Sequence, residues 1–149
     1  MRVEQIMSKP VIAVSLDDSV EVVQELFEVH RFHHVVVTDR HRVVGIISDR
    51  DLLHHVSLFV GKSFEREIDA ATLRKRAHQI MTRSVVTVPP NTTIRAAARI
   101  LFANNISCLP VTDEAGRCLG ILTTADLLRW LVENESVEPG DPSESRAAA

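Results

Sequence analysis

Two short elements of the sequence pair a hydroxyl with a carboxylate at the same spacing. Ser48 precedes Asp51 by three residues in "GIISDRDLL", and Thr123 precedes Asp126 in "GILTTADLL". Each element follows an apolar stretch and starts a helical pattern, so it could be a capping box. It could also bind a ligand, since a first-turn carboxylate can hold a ribose diol and a helix N-terminus attracts phosphate.

A repeat puts the two elements in equivalent positions. "QIMSKPVIAV" at 5–14 matches "QIMTRSVVTV" at 79–88 with an offset of 74 residues. One extra residue in a later turn raises the offset to 75, which aligns Asp51 with Asp126. A pseudo-symmetric module would place the two elements around a shared cleft, so the repeat favours ligand clefts over simple caps.

Each copy predicts the order strand, helix, strand, strand, helix. The opening segments "PVIAV" and "SVVTV" are short and β-branched, and the next segments place apolar residues at helical spacing. We expect the first helix to start at Asp18 and its counterpart at Asn91 or Thr92. The closing helices should run from Asp49 to about Val60 and from Thr124 to about Leu131.

The repeat divides the chain into two units, residues 1–56 and 77–132. A unit of this size buries too little surface to be stable alone. We therefore expect one α+β (mixed α/β) module of two βαββα units, packed with pseudo-twofold symmetry. The linker, 57–76, should contain an exposed helix from about Glu65 to Ala77. The acidic tail, 133–149, should be disordered.

The bulk properties exclude several classes of protein. The 149 residues are 45% hydrophobic and 25% charged, and the net charge of -3 argues against nucleic-acid binding. Two cysteines are too few for a disulfide framework. We see no secretory signal and no apolar run long enough to cross a membrane, so we expect a cytoplasmic protein.

Two catalytic or metal interpretations are weaker than the cleft. The histidines of "HRFHH" lack a cysteine or acid at metal-ligand spacing, so we expect them at the surface or lining a cleft, where His33 or His34 could contact a phosphate. A hydrolase built from Ser48, His54 and Asp51 is disfavoured because the sequence has no G-x-S-x-G elbow. We therefore expect neither an enzyme nor a metal site.

Taken in order, these motifs resemble a tandem pair of CBS domains, a family named after cystathionine β-synthase. The resemblance covers about residues 3–131. It implies a Bateman module that commonly dimerises. It also implies that the clefts between the domains bind AMP, ADP, ATP, NAD or S-adenosylmethionine. Such pairs usually regulate a partner protein and require no cofactor.

The resemblance assigns residues to two clefts. In the first, the phosphate, ribose and base positions correspond to Ser48, Asp51, Ser84, Val85, Val86, Ser107 and Pro110. In the second, they correspond to Thr123, Thr124, Asp126, Pro10, Val11, Ile12, Phe32, His33 and His34. Family members use the position of Arg50 to reach a phosphate in the opposite cleft, which here is the second.

The placement of charges predicts that the second cleft binds a nucleotide more strongly than the first. Asp49 puts a negative charge directly after Ser48, whereas Thr124, after Thr123, is neutral and can donate a hydrogen bond. The alternative function is a ligand-free module for dimerisation or protein interaction, because capping boxes explain both aspartates without a ligand. The sequence does not identify the effector protein or the natural nucleotide.

Overall fold

The computed structural model describes residues 1–57, 60–63 and 65–134. The first half contains a parallel strand, a helix, a hairpin and a second helix. These elements are β1 (Ala13–Ser15), α1 (Val20–Val29), β2 (His34–Asp39), β3 (Arg42–Ser48) and α2 (Asp49–His55). They form a sheet of order β1-β2-β3, in which β1 is parallel and β3 antiparallel to β2.

The second half repeats this arrangement after a short helical connection. The connection comprises α3 (Glu67–Ala71), a 3-10 turn (Thr72–Arg74) and α4 (Ala77–Ile80). The second half then contains α5 (Ile94–Asn104), β4 (Cys108–Thr112), β5 (Cys118–Thr123) and α6 (Thr124–Asn134). The predicted α+β class is thus confirmed.

The opening strand predicted for the second half is reduced to one residue. Only Val88 pairs there, through a parallel bridge to Val111. Its N–H donates to the carbonyl of Pro110 at 3.1 Å. Pro89 and Pro90 follow immediately and offer no N–H to a neighbouring strand, which ends the pairing.

Two helix starts differ from the prediction by one or two residues. α1 is capped by Ser19, whose Oγ accepts the N–H of Val22 at 3.4 Å; Asp18 instead accepts the N–H of Ser15 at 2.7 Å. α5 is capped by Thr93, not by Asn91 or Thr92. The carbonyl of Thr92 accepts the N–H of Val3 at 2.8 Å, which holds Thr92 outside the helix.

The linker also differs from the prediction. α2 ends at His55 instead of about Val60, and two short helices and a turn replace one exposed helix. Asp69 of α3 is buried and accepts a hydrogen bond from Ser57 Oγ at 2.7 Å, which holds α3 against the segment that follows α2. At the C-terminus, α6 continues to Asn134, so two residues assigned to the tail are helical. The rest of that predicted tail, 135–149, lies outside the described residues.

Each half completes its hydrophobic core with the opening segment of the other half. Val3, Ile6 and Met7 pack in the second core, whereas Ala77, Ile80 and Met81 pack in the first. Backbone hydrogen bonds hold each opening segment on the opposite half. Ser8 bonds with Ile121 at 2.9 and 3.0 Å, and Ile46 bonds with Thr82 at 3.1 and 2.9 Å. The two "QIM" motifs therefore join the halves.

The last strand of each half, β3 or β5, has a glycine that receives the exchanged methionine. A Cβ added to Gly45 would lie 2.8 Å from Met81 Cγ, and one added to Gly120 would lie 2.9 Å from Met7 Cγ. Both distances are shorter than a Cβ contact allows, so only glycine lets the methionine approach the sheet this closely. Equivalent contacts in both halves agree with the predicted pseudo-twofold arrangement.

Candidate functional site

Asp126 is a buried carboxylate at the N-terminus of α6. Its Oδ2 accepts the Thr123 N–H and the Thr123 hydroxyl, both at 2.8 Å, while the Asp126 N–H donates to Thr123 Oγ1 at 3.2 Å. Only 5% of the residue is exposed. Its other oxygen, Oδ1, lies 3.3 Å from Ser8 Oγ and 3.7 Å from Arg129 Nη1. The cap therefore occupies Oδ2 and leaves Oδ1 to weaker contacts.

The Ser48 element has the same geometry. Asp51 Oδ2 accepts the Ser48 N–H at 2.7 Å and the Ser48 hydroxyl at 2.9 Å. The Asp51 N–H donates to Ser48 Oγ at 3.1 Å. Both elements are capping boxes, as the spacing predicts, which stabilises the starts of α2 and α6.

A cavity of about 550 Å³ lies between the halves, at the Thr123 element. This volume is within the range of small-molecule sites. Twelve residues expected at one of the clefts line it: Pro10, Val11, Ile12, Phe32, His33, His34, Ser48, Arg50, Ser107, Thr123, Thr124 and Asp126. Ser48 and Ser107, assigned to the first cleft, thus lie in the cavity of the second.

Five expected residues do not line this cavity: Asp51, Ser84, Val85, Val86 and Pro110. Asp51 and the two valines are half-buried, and Ser84 is exposed. Pro110 lies inside β4 and is less than 2% exposed, so a ligand could not reach it without a shift of that strand. The residues assigned to the first cleft are therefore divided between the cavity and other parts of the surface and core.

The ends of four elements position the cavity residues. Pro10–Ile12 precedes β1, and Phe32–His34 joins α1 to β2. The starts of α2 and α6 follow β3 and β5 directly. The first N–H of each of these helices is already used, because Asp49 donates to the His33 carbonyl and Thr124 to the Ser107 carbonyl, both at 3.0 Å. An anion here must therefore rely on later N–H groups or on side chains.

The cavity contains further residues that the sequence did not single out, among them Ser8, Arg31, Ile121 and Arg129. Arg129 could have been found from helical spacing, because it lies one turn after Asp126 on the same helix. Arg31 directly precedes the predicted Phe32–His34 stretch. Ser8 had no local signal, since its position depends on the exchange of opening segments.

The charge prediction placed Asp49 at the first cleft, next to the phosphates of a ligand bound there. It lines the cavity of the Thr123 element, and its Oδ2 lies 2.7 Å from His33 Nδ1. Desolvation raises the pKa of Asp49, but hydrogen bonds from His33 and from the Arg50 N–H outweigh it and hold the pKa below its ordinary value. The predicted ranking of the clefts therefore loses one of its reasons.

His34 connects the halves across the cavity. Its Nε2 lies 3.1 Å from Ser107 Oγ. Burial lowers the pKa of His34, and the nearby charge of His33 lowers it further, although Asp49 and Asp51 partly offset this. The imidazole is therefore neutral at pH 7 and contacts the serine as a hydrogen-bonding group rather than as a cation.

Residues 1–57, 60–63 and 65–134 offer few groups for metal binding, membrane insertion or thiol chemistry. That part of the chain contains no cluster of three or more His, Cys, Asp or Glu side chains able to hold a metal ion. It also contains no helix with the length and apolar character needed to cross a bilayer. Cys108 and Cys118 are free thiols, and burial raises the pKa of Cys108 to about 12, so its thiol is unreactive.

Comparison with known proteins gives consistent matches along the chain. The family model of the CBS domain matches residues 3–58 and 77–133. A CBS domain-containing protein from Dictyostelium discoideum is 32% identical over 142 residues, which cover 94% of this chain and 96% of that protein.

Two similar proteins have solved structures that carry adenosyl ligands. The CBS domain pair of protein MJ0100, in complex with 5′-methylthioadenosine and S-adenosyl-L-methionine, aligns with a TM-score of 0.75 and 26% identity. The alignment covers 91% of this chain and 98% of that one. CBSX2 in complex with AMP aligns with a TM-score of 0.74 and 27% identity, over 89% and 96%. The chain therefore belongs to the CBS domain family and contains two copies of the domain.

Proposed function

We propose that this CBS pair is a regulatory module that binds an adenosyl nucleotide of the AMP, ADP or ATP class between its domains and signals to a partner protein. The observation that carries the proposal is the Thr123 cavity, in which the buried Asp126 has one oxygen outside its capping box. Oδ1 can therefore accept a hydrogen bond from a ribose diol.

The cavity offers a suitable surface to each part of such a ligand. Val11 and Ile12 provide an apolar wall for adenine, and Asp126 Oδ1 is available to ribose hydroxyls in place of Ser8. Arg50 supplies positive charge for phosphate. An apolar wall with a few convergent polar groups is the usual composition of a ligand site.

The similar structures support the ligand class. AMP in CBSX2 and S-adenosylmethionine with methylthioadenosine in MJ0100 share an adenosyl group. We therefore keep NAD and S-adenosylmethionine as further candidates. We place the second, weaker site at Asp51 with Ser84, Val85 and Val86, which belong to the sequence-based first cleft and lie outside the cavity. Pro110, assigned to the same cleft, is buried in β4.

We propose that the module catalyses no reaction and works in the cytoplasm. The hydroxyls of Ser48 and Thr123 are hydrogen-bonded to their own capping carboxylates rather than to a histidine base. Nucleophilic activation requires such a base. Two free cysteines agree with a reducing compartment.

An interaction module is the second candidate, and an apolar groove favours it. Between α5 and α6 the groove has a volume of about 500 Å³ and is lined by Met1, Thr93, Ile94, Arg95, Ala98, Leu127, Leu128, Trp130 and Leu131. Apolar patches of this kind mark protein interfaces. We propose that a second copy of the chain covers it in a homodimer, with or without nucleotide.

Calorimetric titration of the purified protein with AMP, ADP, ATP, NAD and S-adenosylmethionine tests the main proposal. We expect binding below millimolar concentration by at least one of them, and weaker binding by Asp126→Asn. Asp39→Asn, at the exposed end of β2, is the control for the loss of one carboxylate. If no compound binds the wild type below millimolar, the interaction module is the better description.

A further inference from the structure

Resting on the homodimer proposed above, we propose that two copies of this chain associate with α1 of one copy against α5 of the other, because these equivalent helices carry opposite charges. α1 carries Glu21, Glu25 and Glu28 and no Lys or Arg, whereas α5 carries Arg95 and Arg99 and no Asp or Glu. All five residues are exposed. We call the outer surface of α1 the acidic face and that of α5 the basic face.

The repeat places these charges at matching positions. The offset of 74 residues aligns Glu21 with Arg95 and Glu25 with Arg99. Both helices bury the residues one before and two after the first charge of each: Val20, Val23, Ile94 and Ala97. The two faces are therefore equivalent in the fold and differ in the sign of their charge.

The charges do not stabilise the helices that carry them. Like charges four positions apart repel each other on a helix surface. Glu28 lies in the last turn of α1 and Arg95 in the first turn of α5, where the helix dipole disfavours their charges. Within residues 1–57, 60–63 and 65–134, none of the five charged residues forms an ion pair. A surface of opposite charge would supply the missing partners.

Exposed apolar side chains accompany the charges in both halves. In the second half, Arg95 and Leu128 line the same α5–α6 groove, and Phe102 of α5 is 90% exposed. In the first half, Leu53 of α2 corresponds to Leu128 and is 72% exposed, and Val22 of α1 is also exposed. Apolar groups surrounded by charged ones are the usual composition of a specific protein interface.

The charges distinguish between the possible arrangements of two copies. Contact between like faces would bring glutamates against glutamates and arginines against arginines, whereas contact between opposite faces pairs them. A twofold axis repeats the contact with the roles exchanged, so that one dimer covers both faces of each copy. Lys75 adjoins the start of α1, but its ammonium group donates to the His55 carbonyl at 3.3 Å and leaves the glutamates unpaired.

Reversing the charges of one face tests the arrangement. Glu21→Arg with Glu25→Arg gives a chain with two basic faces, and Arg95→Glu with Arg99→Glu gives a chain with two acidic faces. We expect either pair of substitutions to raise the Kd of the dimer at least about tenfold, and all four together to restore it to within about threefold. The wild-type Kd should also rise between about 50 and 500 mM NaCl, because salt screens attraction between exposed charges. Light scattering over a dilution series measures each Kd, and circular dichroism checks folding.

The control is Glu67→Arg with Glu114→Arg, which makes the same change in net charge at exposed positions outside α1 and α5. It should leave the Kd close to that of the wild type. If the wild type dimerises but both two-site variants of the faces dimerise equally well, the inference is wrong while the homodimer stands. The inference is also wrong if the four-site variant stays as weak as the two-site variants, or if the control weakens the dimer as much. A monomeric wild type would contradict the homodimer together with the inference, whereas nucleotide binding is measured separately by calorimetry.

Discussion

The hydroxyl of Ser8 donates a hydrogen bond to Oδ1 of Asp126 at 3.3 Å, although 118 positions separate the two residues. Ser8 belongs to the opening segment of the first half, and Asp126 starts the last helix of the second. The same serine exchanges backbone hydrogen bonds with Ile121. The carboxylate at the centre of the candidate site is therefore positioned by both halves, and a ribose would replace the Ser8 hydroxyl on Oδ1.

Asp126→Asn should weaken nucleotide binding by about tenfold to a hundredfold, because a charged hydrogen bond becomes a neutral one. Asp51→Asn should weaken it less, since Asp51 does not line the described cavity. Calorimetry on both variants, with folding checked by circular dichroism, measures the difference. A larger loss from Asp51→Asn would mean that the Ser48 side holds the stronger site.

Gly45→Ala should destabilise the protein by about 1–3 kcal/mol, the usual cost of overpacking. The new Cβ would lie 2.8 Å from Met81 Cγ and 3.1 Å from its Cβ. Urea denaturation gives the change in free energy of unfolding. In a Met81→Ala background, which removes Cγ, the same substitution should cost clearly less; an equal cost would show that the methionine is not the cause.

Acidification should destabilise the protein through His34. Burial lowers its folded-state pKa below the ordinary value of about 6.5. The unfolded chain therefore binds the proton first, so this contribution to stability is complete above about pH 6.5 and is lost as the pH falls towards the folded-state pKa. His34→Gln should reduce the change in the free energy of unfolding between pH 7.5 and pH 5, measured by urea denaturation. His54→Gln, on the exposed part of α2, should leave the slope unchanged.

Leu131→Arg should convert a dimer into a monomer in light scattering. Leu131 is 48% exposed and Leu128 is 63% exposed beside the α5–α6 groove, and a buried arginine without a partner opposes association. Ile68→Arg, on the exposed surface of α3, is the matched control. A wild-type protein that is monomeric at micromolar concentration would contradict the proposed homodimer.

The sequence was informative where the signals are local. The hydroxyl–carboxylate spacing at Ser48 and Thr123 indicated capping boxes as one of its two interpretations, and both boxes form, because that geometry involves only four consecutive residues. The start of α5 was missed because Asn91, Thr92 and Thr93 are all acceptable N-caps, and a distant hydrogen bond from Val3 decides among them.

The composition of the site was harder to predict for the same reason. The aligned repeat places Ser48 and Thr123 in equivalent positions but does not say which opening segment packs on which half. That choice brings Ser8 to Asp126 and divides the residues assigned to the first cleft. Arg31 and Arg129 come from different halves and line one cavity, and no spacing rule relates Arg31 to the residues of α6.

The exchange of opening segments also affects the order in which the molecule can form during translation. Residues 1–8 are synthesised long before their backbone partners Pro90, Thr92 and Ile121. The first core must likewise wait for Ala77, Ile80 and Met81. Many domains of larger proteins mature one after another from the N-terminus. Here neither half can complete its core before residues of the other half have been synthesised.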